Sequence, residues 1–480
     1  MDAPARRPRL ALLIAFCLSL VVYLVAFVLP YNLFAYIDDA PIDLPVVSGR
    51  AHLPAVAFLA AFAALFCLYV LSYRICRRHP HAALAPLVLL LGLGLAAALA
   101  FTYPVGAGDV VDYVGHGEEV AYFGMNPLVV PPAEIDGAVF ARYSAFRYVV
   151  PNYGPLWMWV SAAVVRVLGR GSLALNLLGF KAVAIAAYAV QSVLIYKMLK
   201  RRAPDVALGG LLFFAWNPLI LYEFAVNGHN DATMMALAVL GILLWEMDHP
   251  FLMVVALTCS FLVKIPTAPL LPLFLLAAAR RKGTGRAFWA TLIGGGALAV
   301  GVVGLAYLSL PEPLAALANL SERSGLYTHS LPAIVKLGLP LGGVSEEAAS
   351  RAVRAASMVA LGGWYAVRVW RAWTRPGEVL RHAYDVVLFL LLFVTPWFQP
   401  WYVTWLVALA ALRPYPTSSG QAGLLSLTVL GSYVIYGFVW FWYPAVGSWA
   451  NWLGINLIAV AGTFALPWTY TIWAWLRRDL

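Results

Sequence analysis

Runs of about 20 apolar residues recur along the whole of this 480-residue chain, each long enough to cross a hydrocarbon layer of about 30 Å as a helix. In lipid only helices and closed barrels satisfy their own backbone polar groups. The period-2 alternation of an outer-membrane barrel is absent, so the expected fold class is an all-α polytopic membrane protein. Composition agrees: 63% of the residues are hydrophobic and 11% charged, against about 45–50% and about 25% in soluble domains.

The formal charge of +10 has a topological meaning. Lys and Arg cluster between apolar runs: Arg6, Arg7 and Arg9; Arg74, Arg77 and Arg78; Lys197, Lys200, Arg201 and Arg202; Arg280, Arg281, Lys282 and Arg286; Arg368, Arg371, Arg375 and Arg381; Arg477 and Arg478. Such a distribution fixes those loops in the cytoplasm and calls for no nucleic acid partner. It places both termini inside, in the plasma membrane of a bacterium. The first apolar run, 10 to 30, exceeds a signal-peptide core and is expected to be a retained helix. Cys17, Cys67, Cys76 and Cys259 lie in or beside apolar runs, so no disulfide framework is expected.

Taken in order, the runs give about fourteen transmembrane crossings in a single membrane domain, 1–480, with a first large outer loop at 104–154 and a second at 310–350. Residues 155 to 168 are too short for a full span and are expected to be interfacial or re-entrant. Only about 30 residues separate His249 from Arg280, too few for two full spans at 1.5 Å per residue. Two short helices meeting at Val263-Lys264-Ile265-Pro266 are expected there, with Pro266 favouring a new helix start whose amides face an anion.

This topology gathers the unusual polar residues on the outer side: Asp109 and Asp112, Arg142 and Arg147, His229 and Asp231, Lys264, Arg323 and His329. Ionisable groups near a membrane interior are costly, about 2.5–3.5 kcal/mol on insertion scales, and mark functional sites. An enzyme on a bacterial outer face has neither ATP nor nucleotide sugars, so it would draw on a lipid-borne donor such as a polyprenyl phosphate sugar. Transfer from such a donor needs a general base for the acceptor hydroxyl and cations where the leaving phosphate gains charge. Asp109 is the expected base, with Asp112 one turn away as its helper or alternate. Lys264, His229, Arg147 and Arg323 are the expected phosphate contacts. No metal or other cofactor is expected. Asp231 is equally suited to cap the helix starting at Ala232.

These residues also sit in recognisable motifs. Asp109-Val110-Val111-Asp112-Tyr113, Gly124-Met125-Asn126-Pro127 and Tyr153-Gly154-Pro155-Leu156 resemble the first outer loop of the GT-C superfamily mannosyltransferases that use polyprenyl phosphate mannose, most nearly the bacterial alpha-1,6 type. Trp216-Asn217-Pro218, Asn227-Gly228-His229-Asn230-Asp231, Val263-Lys264 and Pro396-Trp397-Phe398-Gln399-Pro400-Trp401-Tyr402 are similar to that family's later motifs, in the same order. The resemblance spans most of residues 100 to 412. It implies a GT-C-type glycosyltransferase fold and an inverting, metal-independent transfer of mannose to a lipid-linked or glycan acceptor, with the loop aspartate as base. Within these motifs Tyr113, Asn126, Tyr153, Asn230, Asp231, Trp397, Gln399, Trp401 and Tyr402 are the expected donor and acceptor sugar contacts. The aromatic members suit an interfacial belt as well. Two alternatives remain: a transporter or flippase of a lipid-linked saccharide, and a related enzyme using arabinose or glucose.

Overall fold

The computed structural model describes residues 6–319, 326–443 and 452–477. It is helical throughout, with two isolated bridges and no strand among the described residues. An all-α membrane protein is what these helices build. Among the described residues seven are long and apolar enough to cross a membrane: Arg6–Val28, His52–Arg78, Ala82–Leu99, Leu173–Arg202, Arg286–Leu308, Pro416–Trp442 and Trp452–Ala474. The bent pair Pro204–Ala215 and Pro218–Val226 makes an eighth if it is one span.

The other expected crossings fall on helices that are too short or too charged. Asp231–Glu246 has 16 residues, Pro250–Val263 has 14 and Leu270–Arg281 has 12, and at 1.5 Å per residue none exceeds about 24 Å. Glu346–Thr374 is long, but carries Glu346, Glu347, Arg351, Arg354, Arg368 and Arg371. Pro155–Leu168 is a separate helix of 14 residues, as its length in the sequence implies.

The chain divides into two compact units, one made of Met1–Leu44 with Cys67–Arg323 and the other of Pro45–Phe66 with Ser324–Leu480. In the first, the long helices show a lipid-facing character: Arg6–Val28 leaves Leu10, Ile14, Leu18, Val21 and Val25 exposed at helical spacing. The segment beyond Pro204 does the opposite. Every residue from 207 to 232 is buried, including Asn217, Glu223, Asn227, His229, Asn230 and Asp231, so the centre of this unit is a polar cluster wrapped in apolar helices. Buried polar groups are costly unless paired, and most of this cluster is: Asn227 donates to Glu223, and Asp231 accepts from Lys264.

Local rules explain how the chain turns there. Asn217 caps the short helix Pro218–Leu221 by accepting from the amides of Leu219 and Ile220, a cap that contributes about 1 kcal/mol. After a π-turn at Tyr222–Val226, Gly228 takes a φ of +69°, and a Cβ there would also press on Val110 and Lys181. Only glycine suits that position. Lys181 itself is buried, and its ammonium donates to the carbonyls of Ala100, at 3.0 Å, and Thr102. It thereby satisfies acceptors left over at the end of Ala85–Leu99 and steadies the strand of chain leading to Asp109.

The break at Lys264 is as the sequence implies. Pro250–Val263 ends, Lys264 is extended with a φ of −157°, and a 3-10 turn at Ile265–Thr267 precedes Leu270–Arg281. The α-helix starts at Leu270 rather than directly after Pro266, so the amides beside Lys264 belong to a three-residue turn. Gly154 lies against this apex. Its amide donates to the Val263 carbonyl at 3.0 Å, and a Cβ on it would collide with the Leu262 carbonyl.

In the second unit, Pro416–Thr428 packs on Trp452–Leu476, and Leu331–Gly338 packs on both Trp452–Leu476 and Glu346–Thr374. The segment before Leu331 pairs with the Pro396 turn: the Thr328 amide donates to the Pro396 carbonyl at 3.0 Å and the Phe398 amide to the Thr328 carbonyl at 3.1 Å.

Candidate active site

The helix Asp109–Glu118 starts at Asp109, so both expected carboxylates, Asp109 and Asp112, lie in its first turn. Their surroundings differ. Asp112 is buried, and its Oδ1 accepts from the Ser144 hydroxyl. Burial first, then the Asp109 charge beside it, pushes Asp112 up to about 7. The Asp109 side chain keeps 16% exposure, which leaves it the more accessible of the two. A pair of carboxyls held in different surroundings is a common way to separate acid and base roles.

His229 is fully buried between two carboxylates. Its Nδ1 lies 3.3 Å from Asp109 Oδ2, and its Nε2 lies 3.4 Å from Glu223 Oε2. Asn227 Nδ2 donates to the same Glu223 oxygen at 2.8 Å, and Asn227 Oδ1 accepts from the Gly106 amide at 3.2 Å. Two residues after His229, Asp231 Oδ2 accepts from Lys264 Nζ at 2.8 Å. The helix begins at Asp231, with Asn230 in the cap position, so Asp231 serves as the counter-charge of a buried lysine and not as the cap. Asn230 is fully buried, and neither end of its side-chain amide has a partner among the described residues.

Tyr153 is the common neighbour of the two halves. The Lys264 ammonium lies 5.8 Å from its ring centroid, and its phenol is held well above the ordinary range by burial and then by the Asp109 charge. Tyr113 packs edge-on against Tyr153 and Trp157 at 5.1 and 5.0 Å; such pairs add about 0.5–1.5 kcal/mol each beyond burial. The Tyr113 hydroxyl accepts from the Asn230 amide at 3.4 Å. Burial and the charges of Asp109 and Asp231 raise the Tyr113 phenol too, so both phenols stay neutral donors.

The structure thus brings together Asp109, Asp112, Tyr113, Tyr153, His229, Asn230, Asp231 and Lys264. Other expected contacts are placed elsewhere. Arg147 is half-buried, with its guanidinium 5.0 Å over the Tyr148 ring, and no ion pair joins it to this cluster among the described residues. Arg323 lies outside the described residues. Asn126 commits its side-chain amide elsewhere, donating to the carbonyl of the distant Pro311 at 2.6 Å and accepting from the nearby Leu128 amide at 3.1 Å. His229 was expected to face phosphate, but both its ring nitrogens face carboxylates.

Trp397, Gln399, Trp401 and Tyr402 belong to the second unit. Trp401 is buried edge-on to Tyr402, which stacks on Trp405 at 4.7 Å, while Trp397 and Gln399 are half-buried. His329, read from sequence among the outer polar groups, is buried here: its amide donates to Asn456 Oδ1 and its Nε2 lies 2.7 Å from the Thr463 hydroxyl. Burial lowers His329 to about 3, so it is a neutral core residue. Among the described residues no group of three or more His, Cys, Asp or Glu side chains is arranged to hold a metal ion.

Glu223 escaped the sequence reading. Its signal was present: a lone carboxylate in the apolar stretch 206–226, which membrane energetics marks as functional by default.

The raised Asp112 has a measurable consequence. Below about pH 4 the group is neutral in both folded and unfolded chains. As pH rises from about 4 to about 7, the unfolded chain gives up this proton and the folded chain keeps it, so stability falls. Thermal unfolding across that window is expected to show a shallower decline in Asp112→Asn than in the wild type; identical slopes would contradict the assignment.

Residues 16–280 match a family profile described as alpha-(1->6)-mannopyranosyltransferase, N-terminal domain. That segment covers more than half of the chain and carries Asp109, Glu223, His229, Asp231 and Lys264. A comparison with curated proteins finds no match.

Proposed function

Because this chain belongs to the alpha-(1->6)-mannopyranosyltransferase family, we propose that it transfers mannose from a polyprenyl phosphate donor to a glycan or glycolipid acceptor, with inversion, on the outer face of a bacterial plasma membrane and in a GT-C-type fold. One observation supports this reading above the others: a candidate base, Asp109, lies 3.3 Å from the buried His229, and two residues on Asp231 holds a buried cation, Lys264, at 2.8 Å. In this scheme the acceptor hydroxyl gives its proton to Asp109 as its oxygen attacks C1 of the sugar. The C1–O bond to the donor breaks, and the phosphate leaves with the electron pair toward Lys264, whose ammonium has three donors. Asp231, at 2.8 Å from Lys264, holds that side chain in place. The buried Asn230 amide reads sugar hydroxyls, and Tyr113 and Tyr153 supply neutral donors and an aromatic wall.

The scheme assigns the chemistry to this chain's own side chains and the leaving group to the lipid. Purified protein in lipid nanodiscs, given radiolabelled polyprenyl phosphate mannose and an alpha-mannoside acceptor, is therefore expected to form mannoside of inverted anomeric configuration in the presence of EDTA. Preference for an arabinose or glucose donor would contradict the substrate assignment, and absence of any transfer would contradict the enzyme.

A further inference from the structure

The position of Glu223 assigns a role to a residue that the proposed reaction does not touch. Its side chain is fully buried and lies on the far side of the His229 ring from Asp109, with oxygen to nitrogen distances of 3.4 Å and 3.3 Å on the two sides. The three groups form a line of carboxylate, imidazole and carboxylate. Asn227 holds the distal end, donating to Glu223 at 2.8 Å while accepting from the Gly106 amide at 3.2 Å. Gly106 stands three residues before Asp109 in the chain, so the same network grips both the loop that leads to the base and the ring that faces it. The His229 amide also donates to the Glu223 carbonyl at 3.1 Å, which closes the turn around the ring.

We infer that Glu223 is a positioning residue that acts through His229 to hold Asp109 in the orientation that receives the acceptor's proton. This rests on the proposed transfer reaction. A base needs a third group to fix the ring or carboxylate that assists it, as nucleophile and base pairs do elsewhere. Asp109 has particular need of one. It sits partly exposed in the first turn of its helix, and an aspartate free to rotate would lose the alignment that makes base catalysis effective. In the reaction the acceptor O–H bond and the C1–O(phosphate) bond break, the new C1–O bond forms, and the proton ends on Asp109. Glu223 takes part in none of these bonds.

The test is a double-mutant cycle on the full-length protein in nanodiscs. A positioned base is worth about 10²–10⁴ in rate, and loss of its orientation is expected to cost part of that, about 10- to 100-fold in kcat, in Glu223→Gln, with the donor KM little changed. In a His229→Ala background the same substitution is expected to cost almost nothing further, since the intermediary is gone. Glu223→Asp, which keeps the charge, is expected to recover part of the loss and serves where the Gln variant folds poorly. An equal fall in kcat with and without His229 would overturn the inference, as would a Glu223→Gln enzyme with wild-type kcat alongside an inactive Asp109→Asn enzyme. Lack of mannosyl transfer by the wild type would instead overturn the functional reading, and this inference with it.

Discussion

Asp109→Asn is expected to abolish mannosyl transfer, with kcat falling by at least about 10²–10⁴, the usual contribution of a positioned general base, while donor binding stays intact. Asparagine has nearly the same shape, so the helix start at Asp109 and the packing of Tyr113 and Tyr153 are retained. What it loses is the ability to accept a proton. The side chain keeps 16% exposure, so the charge that is removed is not itself a fully buried one. Loss of turnover with unchanged thermal stability and unchanged donor binding is the outcome expected. Full turnover in the variant would end the assignment of Asp109 as the base.

Lys264→Met is expected to do damage in two separable ways. Asp231 has no exposure and pairs with Lys264 at 2.8 Å. Breaking a buried pair from one side leaves an uncompensated charge and typically costs about 3–5 kcal/mol. The second loss is catalytic: removing the cation that receives the leaving phosphate is expected to lower kcat by about 10²–10³, as loss of one oxyanion donor does. The double variant Lys264→Met with Asp231→Asn separates the two, because it removes the stranded charge. It is expected to recover most of the thermal stability and none of the transfer. Recovery of transfer in the double variant would show Lys264 to be only a structural partner of Asp231.

Much of this arrangement was legible in the sequence. Apolar runs announce the long helices because lipid requires the backbone to satisfy itself. Pro266, in a stretch too short for two spans, announces the broken helix at Lys264. The pairing of Lys264 was also foreseeable in kind, since a buried ammonium needs a partner, but Asp231 could be read equally as a helix cap. What stayed hidden depends on side-chain direction. A sequence does not say which way an imidazole faces, so His229 read as a phosphate contact, although its two nitrogens face Asp109 and Glu223. Glu223 itself belongs to no short motif and shows its purpose only once the π-turn at Tyr222–Val226 brings it beside His229. Asn126 read as a sugar contact because it stands in a family-like motif, yet its side-chain oxygen builds the local turn and its nitrogen ties that turn to Pro311. The count of crossings was the least legible feature, because an apolar helix of 12 to 16 residues reads like part of a span whether it faces lipid or lies inside the protein. Asp231–Glu246 and Pro250–Val263 bury most of their length.

The proposed reaction requires one pocket to serve both ends of a lipid phosphate sugar. A cryo-electron microscopy structure of the Asp109→Asn enzyme in nanodiscs with polyprenyl phosphate mannose bound tests it most directly. The expected density places the phosphate within about 3 Å of Lys264 Nζ, the range of a charge-assisted hydrogen bond, with the mannose against Tyr153 and residue 109 on the face of C1 opposite the phosphate. A donor bound with its phosphate away from Lys264, or with C1 out of reach of residue 109, would contradict it.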